Sequence, residues 1–95
     1  MSTKTDDAKD LIEGEFLLLE WLEKNAVDIS VIDDSDETFP YNKKVYAVVN
    51  GRLMNVVFSL FMKDKESSIT FIYNGVTDRD LTLKQLIQRL ENIQP

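Results

Sequence analysis

The stretch VYAVVNGRLMNVVFSLFM, Val45 to Met62, constrains the fold more than any other part of the chain. An Asn-Gly pair interrupts a long apolar run, and both residues tolerate the positive φ that a type I′ turn requires, so the flanking segments are predicted to fold back as an antiparallel hairpin. The turn sets the register. Val49 opposes Arg52, Ala47 opposes Met54, Val45 opposes Val56 and Lys43 opposes Phe58, and the face these share continues through Leu60. The other face shows Tyr46, Val48, Leu53, Asn55, Val57, Ser59 and Phe61. Successive side chains alternate sides along a strand, so a ribbon with one wet face would be polar at every second position. This one is not: its second face is mixed but still largely apolar, and both faces call for cover.

The rest of the chain supplies that cover in small pieces. Thr5 to Lys24 reads as a helix with Thr5 as N-cap and with Leu11, Ile12, Phe16, Leu18, Leu19 and Leu22 in one core-facing sector at about 100° per residue. Leu17 and Trp21 fall on a second apolar edge beside Gly14, and Asn25 is placed to close the helix in a left-handed conformation. Ala26 to Ile32 alternates and reads as a short edge strand, with Val27, Ile29 and Val31 on one side. Asp33 to Pro40 is an acidic loop, since proline lacks the N–H that a central strand needs. After a charged turn, Ile69 to Tyr73 gives a further strand that ends at Asn74-Gly75. Thr82 and Gln85 have capping-box spacing ahead of a closing helix lined by Leu83, Leu86, Ile87, Leu90 and Ile93.

The expected fold is therefore α+β: an N-terminal helix, an antiparallel meander of three to four strands and a C-terminal helix. The chain has 95 residues, 43% of them hydrophobic and 29% charged, which suits one domain over 1–95 with one core and frayed ends at 1–5 and 94–95. No apolar run reaches the roughly 18 residues of a membrane span. The polar, acidic opening lacks the pattern of a signal peptide. A cytoplasmic protein that does not bind membranes is expected.

Charge is unevenly spread. Residues 1–40 carry 12 acids and 3 bases, whereas residues 41–95 carry 5 acids and 8 bases, within a net charge of -6. An acidic field repels nucleic acid, which needs clustered Lys and Arg to neutralise its phosphates. Neither histidine nor cysteine occurs, which removes the commonest general base, thiol chemistry and the usual transition-metal ligands. Only three isolated glycines are present, too few for a phosphate-cradling loop. Calcium would need the EF-hand glycine and glutamate, and a loop counted from Asp33 has Thr38 and Lys44 in those places. No catalytic, metal or cofactor site is expected.

Two candidate surfaces remain. One is apolar: Tyr46, Leu53, Val57 and Phe61 on the second face of the hairpin, with Leu17 and Trp21 on the helix flank. The other is acidic: Asp6, Asp10, Glu13 and Glu20 on the outer face of the first helix, with Asp33, Asp34, Asp36 and Glu37 in the loop. Together they suggest a non-catalytic protein-binding module, a small acidic adaptor, inhibitor or chaperone that occupies a partner with a basic surface and forms a homodimer. The alternative is a DNA-mimic inhibitor of a nucleic-acid-binding protein, because the helix acids are spaced along the axis much as backbone phosphates are. Against it, Lys9 and Lys24 stand one turn from Glu13 and Glu20, as in ordinary i,i+4 pairs.

Overall fold

The structure, a computed structural model, describes the backbone of residues 3–63 and 66–93 and the side chains of residues 9–63 and 66–93. The chain runs α1 (Thr3–Asn25), β1 (Ala26–Asp33), β2 (Tyr41–Val49), β3 (Arg52–Phe61), β4 (Glu66–Tyr73), β5 (Val76–Asp78) and α2 (Leu83–Glu91). The strands form one antiparallel sheet in the order β1-β2-β3-β4-β5. The fold is α+β, with the expected helices at either end of a meander.

The β2–β3 register is the one the turn dictates, Val49 opposite Arg52 through Lys43 opposite Phe58. Asn50 and Gly51 have φ of 54° and 77°, the pair of positive values that lets a two-residue connection match the strand twist. Asn74 and Gly75 repeat the device, with φ of 55° and 79°. The second Asn-Gly pair thus turns the chain into a fifth, three-residue strand instead of ending the sheet.

Both helices lie on one side of the sheet. Val45, Ala47, Val49, Met54, Val56, Phe58, Ile69 and Phe71 form a single buried cluster with Leu11, Leu18, Leu22, Leu86 and Leu90 of the helices. Gly14 is the meeting point: a Cβ built on it would stand 3.2 Å from Phe58, 3.4 Å from Leu83 and 3.7 Å from Leu86. The core-facing stripe of α1 is consequently turned by about 80° on the helical wheel towards Gly14, relative to the stripe expected from hydrophobicity. Ile12 and Phe16, assigned to the core by their spacing, are 58% and 64% exposed.

Local signals at the helix ends are mixed. In α2 both arms of the capping box form: Gln85 N–H donates to Thr82 Oγ1 at 3.1 Å, and Thr82 N–H donates to Gln85 Oε1 at 2.8 Å. At the other end of the chain, α1 begins at Thr3, ahead of the expected cap, and the Thr5 side chain lies outside the described residues. Asn25 is not left-handed. It donates from Nδ2 to the Trp21 carbonyl at 2.9 Å, and β1 follows at the next residue, so the helix passes into the strand without the expected left-handed cap.

Candidate functional site

The uncovered side of the sheet follows from the register, because directly opposed residues share a face. Opposite the helices stand Tyr46, aligned with Ser30 and Asn55; Val57, aligned with Lys44 and Thr70; and Leu53, aligned with Val48, which faces Val27. Ile32 and Ile72 complete this face. Leu53 is 63% exposed, while Tyr46, Val57 and Phe61 are half-buried by their strand neighbours. Asn55 Oδ1, in the middle, is buried with no hydrogen-bond partner among the described residues. Lys44 and Glu66, of opposite charge, also lie on this face.

Phe61 sits at the rim of that face, its ring centroid 5.2 Å from that of Phe39. Phe39 belongs to the acidic loop, which is thereby folded against the end of the sheet. Met62 N–H donates to the Thr38 carbonyl at 2.9 Å and strengthens the attachment. Nothing in the hydrophobic pattern marked Phe39, because a lone aromatic in a polar loop has no period to betray it.

Leu17 and Trp21 are not part of the sheet surface. They line a groove between the two helices with Ile87 and Leu90, bordered by Glu20, Lys24 and Glu91. The two groups of apolar candidates therefore lie on opposite sides of the sheet, the helix flank being carried away from the open face by the same packing that buries Leu18 and Leu22.

A further apolar surface lies on the β1 side of α1. Phe16 and Leu19 share a trough with Ile29, rimmed by Glu20 and Glu23. A bulge creates it. Between Val27 and Ser30 the β1–β2 register shifts by one residue, and Asp28 has φ of 54°. The extra residue leaves Val27 on the open side and sends Ile29 to the helix side, so the expected grouping of Val27, Ile29 and Val31 on one face does not occur.

The acids divide into exposed and engaged groups. Asp10, Glu13 and Glu20 are exposed on α1, and the side chain of Asp6 lies outside the described residues. In the loop, Asp36 Oδ1 accepts from Thr38 N–H at 2.9 Å and from Phe39 N–H at 2.7 Å. Asp34 pairs with Lys44 at 3.3 Å. Hydrogen bonds from the Ser35 side chain and then its N–H hold Asp33 below the usual carboxylate range; the N–H donates to Asp33 Oδ1 at 3.0 Å. Glu37 is exposed. Much of the loop's acidity is thus tied up in turn formation, the local side-chain-to-backbone bonding that Asp favours. The described residues contain no grouping of three or more acids able to hold a metal ion.

On the helix side, Glu15 is only 12% exposed at its side chain and pairs with Lys43 at 3.4 Å. It also accepts a hydrogen bond from the Tyr41 hydroxyl. Burial first, and that hydrogen bond second, push the Tyr41 phenol well above its usual range. The grouping ties α1 to the start of β2. No helix among the described residues is long and apolar enough to cross a membrane. No protein-family model matches the chain, and no curated protein or solved structure matches it.

Proposed function

We propose that this chain is a non-catalytic protein-binding module, a small acidic adaptor, inhibitor or chaperone that acts by occupying a partner and that associates with a second copy through its open sheet face. The observation that carries the reading is the placement of both helices on one side of an apolar-on-both-sides hairpin. Exposed apolar patches beyond a few hundred Å² mark interfaces. Four strands about 4.8 Å apart and about 26 Å long give a whole face of roughly 500 Å² in projection, on the scale of the ~800 Å² each partner contributes to a standard interface. Ser30, Asn55, Ser59 and Thr70 are interspersed among its apolar residues.

Charge supports a second copy as the occupant of this face. Lys44 is paired with Asp34 and Glu66 stands at the rim beside Phe61, so the centre of the face, around Tyr46, Asn55 and Val57, brings no like charges together when two copies meet. Sedimentation tests the idea: wild type should run as a dimer and Val57→Lys as a monomer, because each lysine would be buried opposite an apolar surface. A wild-type protein that sediments as a monomer at high concentration overturns the self-association.

A further inference from the structure

Edge strand β1 is the least covered part of the sheet. Its Val27, Ile29, Val31 and Ile32 are 62%, 38%, 43% and 43% exposed. Its outer edge has no neighbouring strand among the described residues, and such an edge offers N–H and C=O groups to any extended chain. On the helix side Phe16 and Leu19 overhang Ile29, leaving a trough of about 530 Å³.

We propose that β1 is a docking edge for an extended segment of another protein, one with alternating apolar side chains and with Lys or Arg at its flanks. Added as a sixth strand, the segment would take its hydrogen bonds from the β1 backbone and send every second side chain into the trough. The Asp28 bulge is what makes this work, since bulges re-aim side chains, and here the bulge delivers Ile29 to the floor beneath Phe16.

Charge selects the occupant. Glu20 and Glu23 rim the trough, and Asp28 and Asp33 lie in β1 itself. The neighbouring cations are engaged, Lys43 by Glu15 and Lys44 by Asp34. A second copy would bring the same carboxylates against themselves, whereas basic flanks meet opposite charge and are steered in. The edge thus names the partner class for the binding module proposed above; its trough lies on the helix side of the sheet, opposite the open face to which β1 contributes Val27 and Ile32.

The probe is a synthetic peptide of three Val-Thr repeats with two lysines at each end, titrated into isotopically labelled full-length protein and followed by amide shifts and hydrogen exchange. The expected result is slowed exchange and shifted resonances across Ile29 to Asp33, at low salt and, more weakly, at physiological salt. Phe16→Ser combined with Ile29→Thr replaces two exposed side chains and should weaken binding by about tenfold or more. The same peptide with glutamate flanks should bind at least about tenfold more weakly. Val57→Lys should leave the peptide response unchanged, so the edge and the open face can fail independently. The proposal is overturned by shifts confined to Tyr46 and Val57, by equal binding of the glutamate-flanked peptide, or by no response at millimolar peptide. It is equally overturned if wild type self-associates through β1 in a manner that salt strengthens and Phe16→Ser removes.

Discussion

Gly14 of α1 lies against Phe58 of β3, and this approach sets how closely the first helix sits on the sheet. A Cβ at residue 14 would be 3.2 Å from Phe58 Cε1 and 3.4 Å from Leu83 Cδ1. Phe58 is fully buried, so it yields little, while half-exposed Leu83 can turn aside. Gly14→Ala sets this crowding against a gain of about 1 kcal/mol in helix propensity. It should change stability by less than about 1 kcal/mol in either direction. Gly14→Leu has no such compensation for its volume and should cost about 2–3 kcal/mol by urea denaturation. Equal effects of the two substitutions would contradict the close approach.

The two Asn-Gly turns should behave alike but not equally. Both glycines have positive φ with nothing within 4 Å of an added Cβ, so an alanine there is strained only through the backbone, by about 1 kcal/mol. Gly51→Ala acts on the hairpin of the two longest strands, β2 and β3, and should lower the denaturation midpoint accordingly. Gly75→Ala acts on the turn before three-residue β5. Its cost is met by local fraying, so exchange of the β5 amides should rise more than global stability falls.

What the sequence disclosed and what it hid have the same origin. The β2–β3 register and the α2 capping box are fixed by chemistry within a few residues, positive φ at Asn-Gly and reciprocal bonds at Thr82 and Gln85. They could be read directly. The orientation of α1 depends instead on the absence of a side chain: Gly14 carries no hydrophobic weight, yet it belongs to the buried stripe and marks its edge towards α2, where Phe58 and Leu86 fill its place. A wheel weighted by hydrophobicity turns the helix towards Ile12 and Phe16 and so makes core of Phe16, which roofs the β1 trough with Leu19. The bulge at Asp28 was likewise hidden, since strict alternation in AVDISVI gives no sign that one residue is extra.

Tyr41 gives the protein an alkaline limit. Its phenol is raised above the ordinary value of 10.0 by burial and by Glu15, so the folded state holds its proton more tightly than the unfolded state does. That contribution is fully present below pH 10 and is lost as pH rises through the folded-state value. Stability should therefore decline with pH above about 10 in the wild type. The decline should be smaller in Tyr41→Phe, which has no proton there to lose. Phenolate absorbance provides a second readout: the substitution should remove a late-titrating component from the alkaline curve. A Tyr41→Phe protein with the wild-type alkaline slope would show that the hydroxyl is not held by Glu15.

The acidic loop separates charge from hydrogen bonding at one residue. Asp36 accepts from Thr38 N–H and Phe39 N–H, while its own N–H donates to the Phe39 carbonyl at 2.8 Å, and Phe39 stacks near Phe61. Asn retains an acceptor oxygen of the same reach without the charge, and Ala retains neither. If the loop exists for its geometry, Asp36→Asn should keep the Phe39 contact, with a stability change within about 0.5 kcal/mol. Asp36→Ala should cost about 1 kcal/mol by leaving two donors without their acceptor. It should also speed exchange of the Met62 amide, whose bond to Thr38 depends on the loop staying closed. The opposite ranking, with Asn as damaging as Ala, would assign the residue's role to its negative charge and return the loop to the acidic surface available for steering.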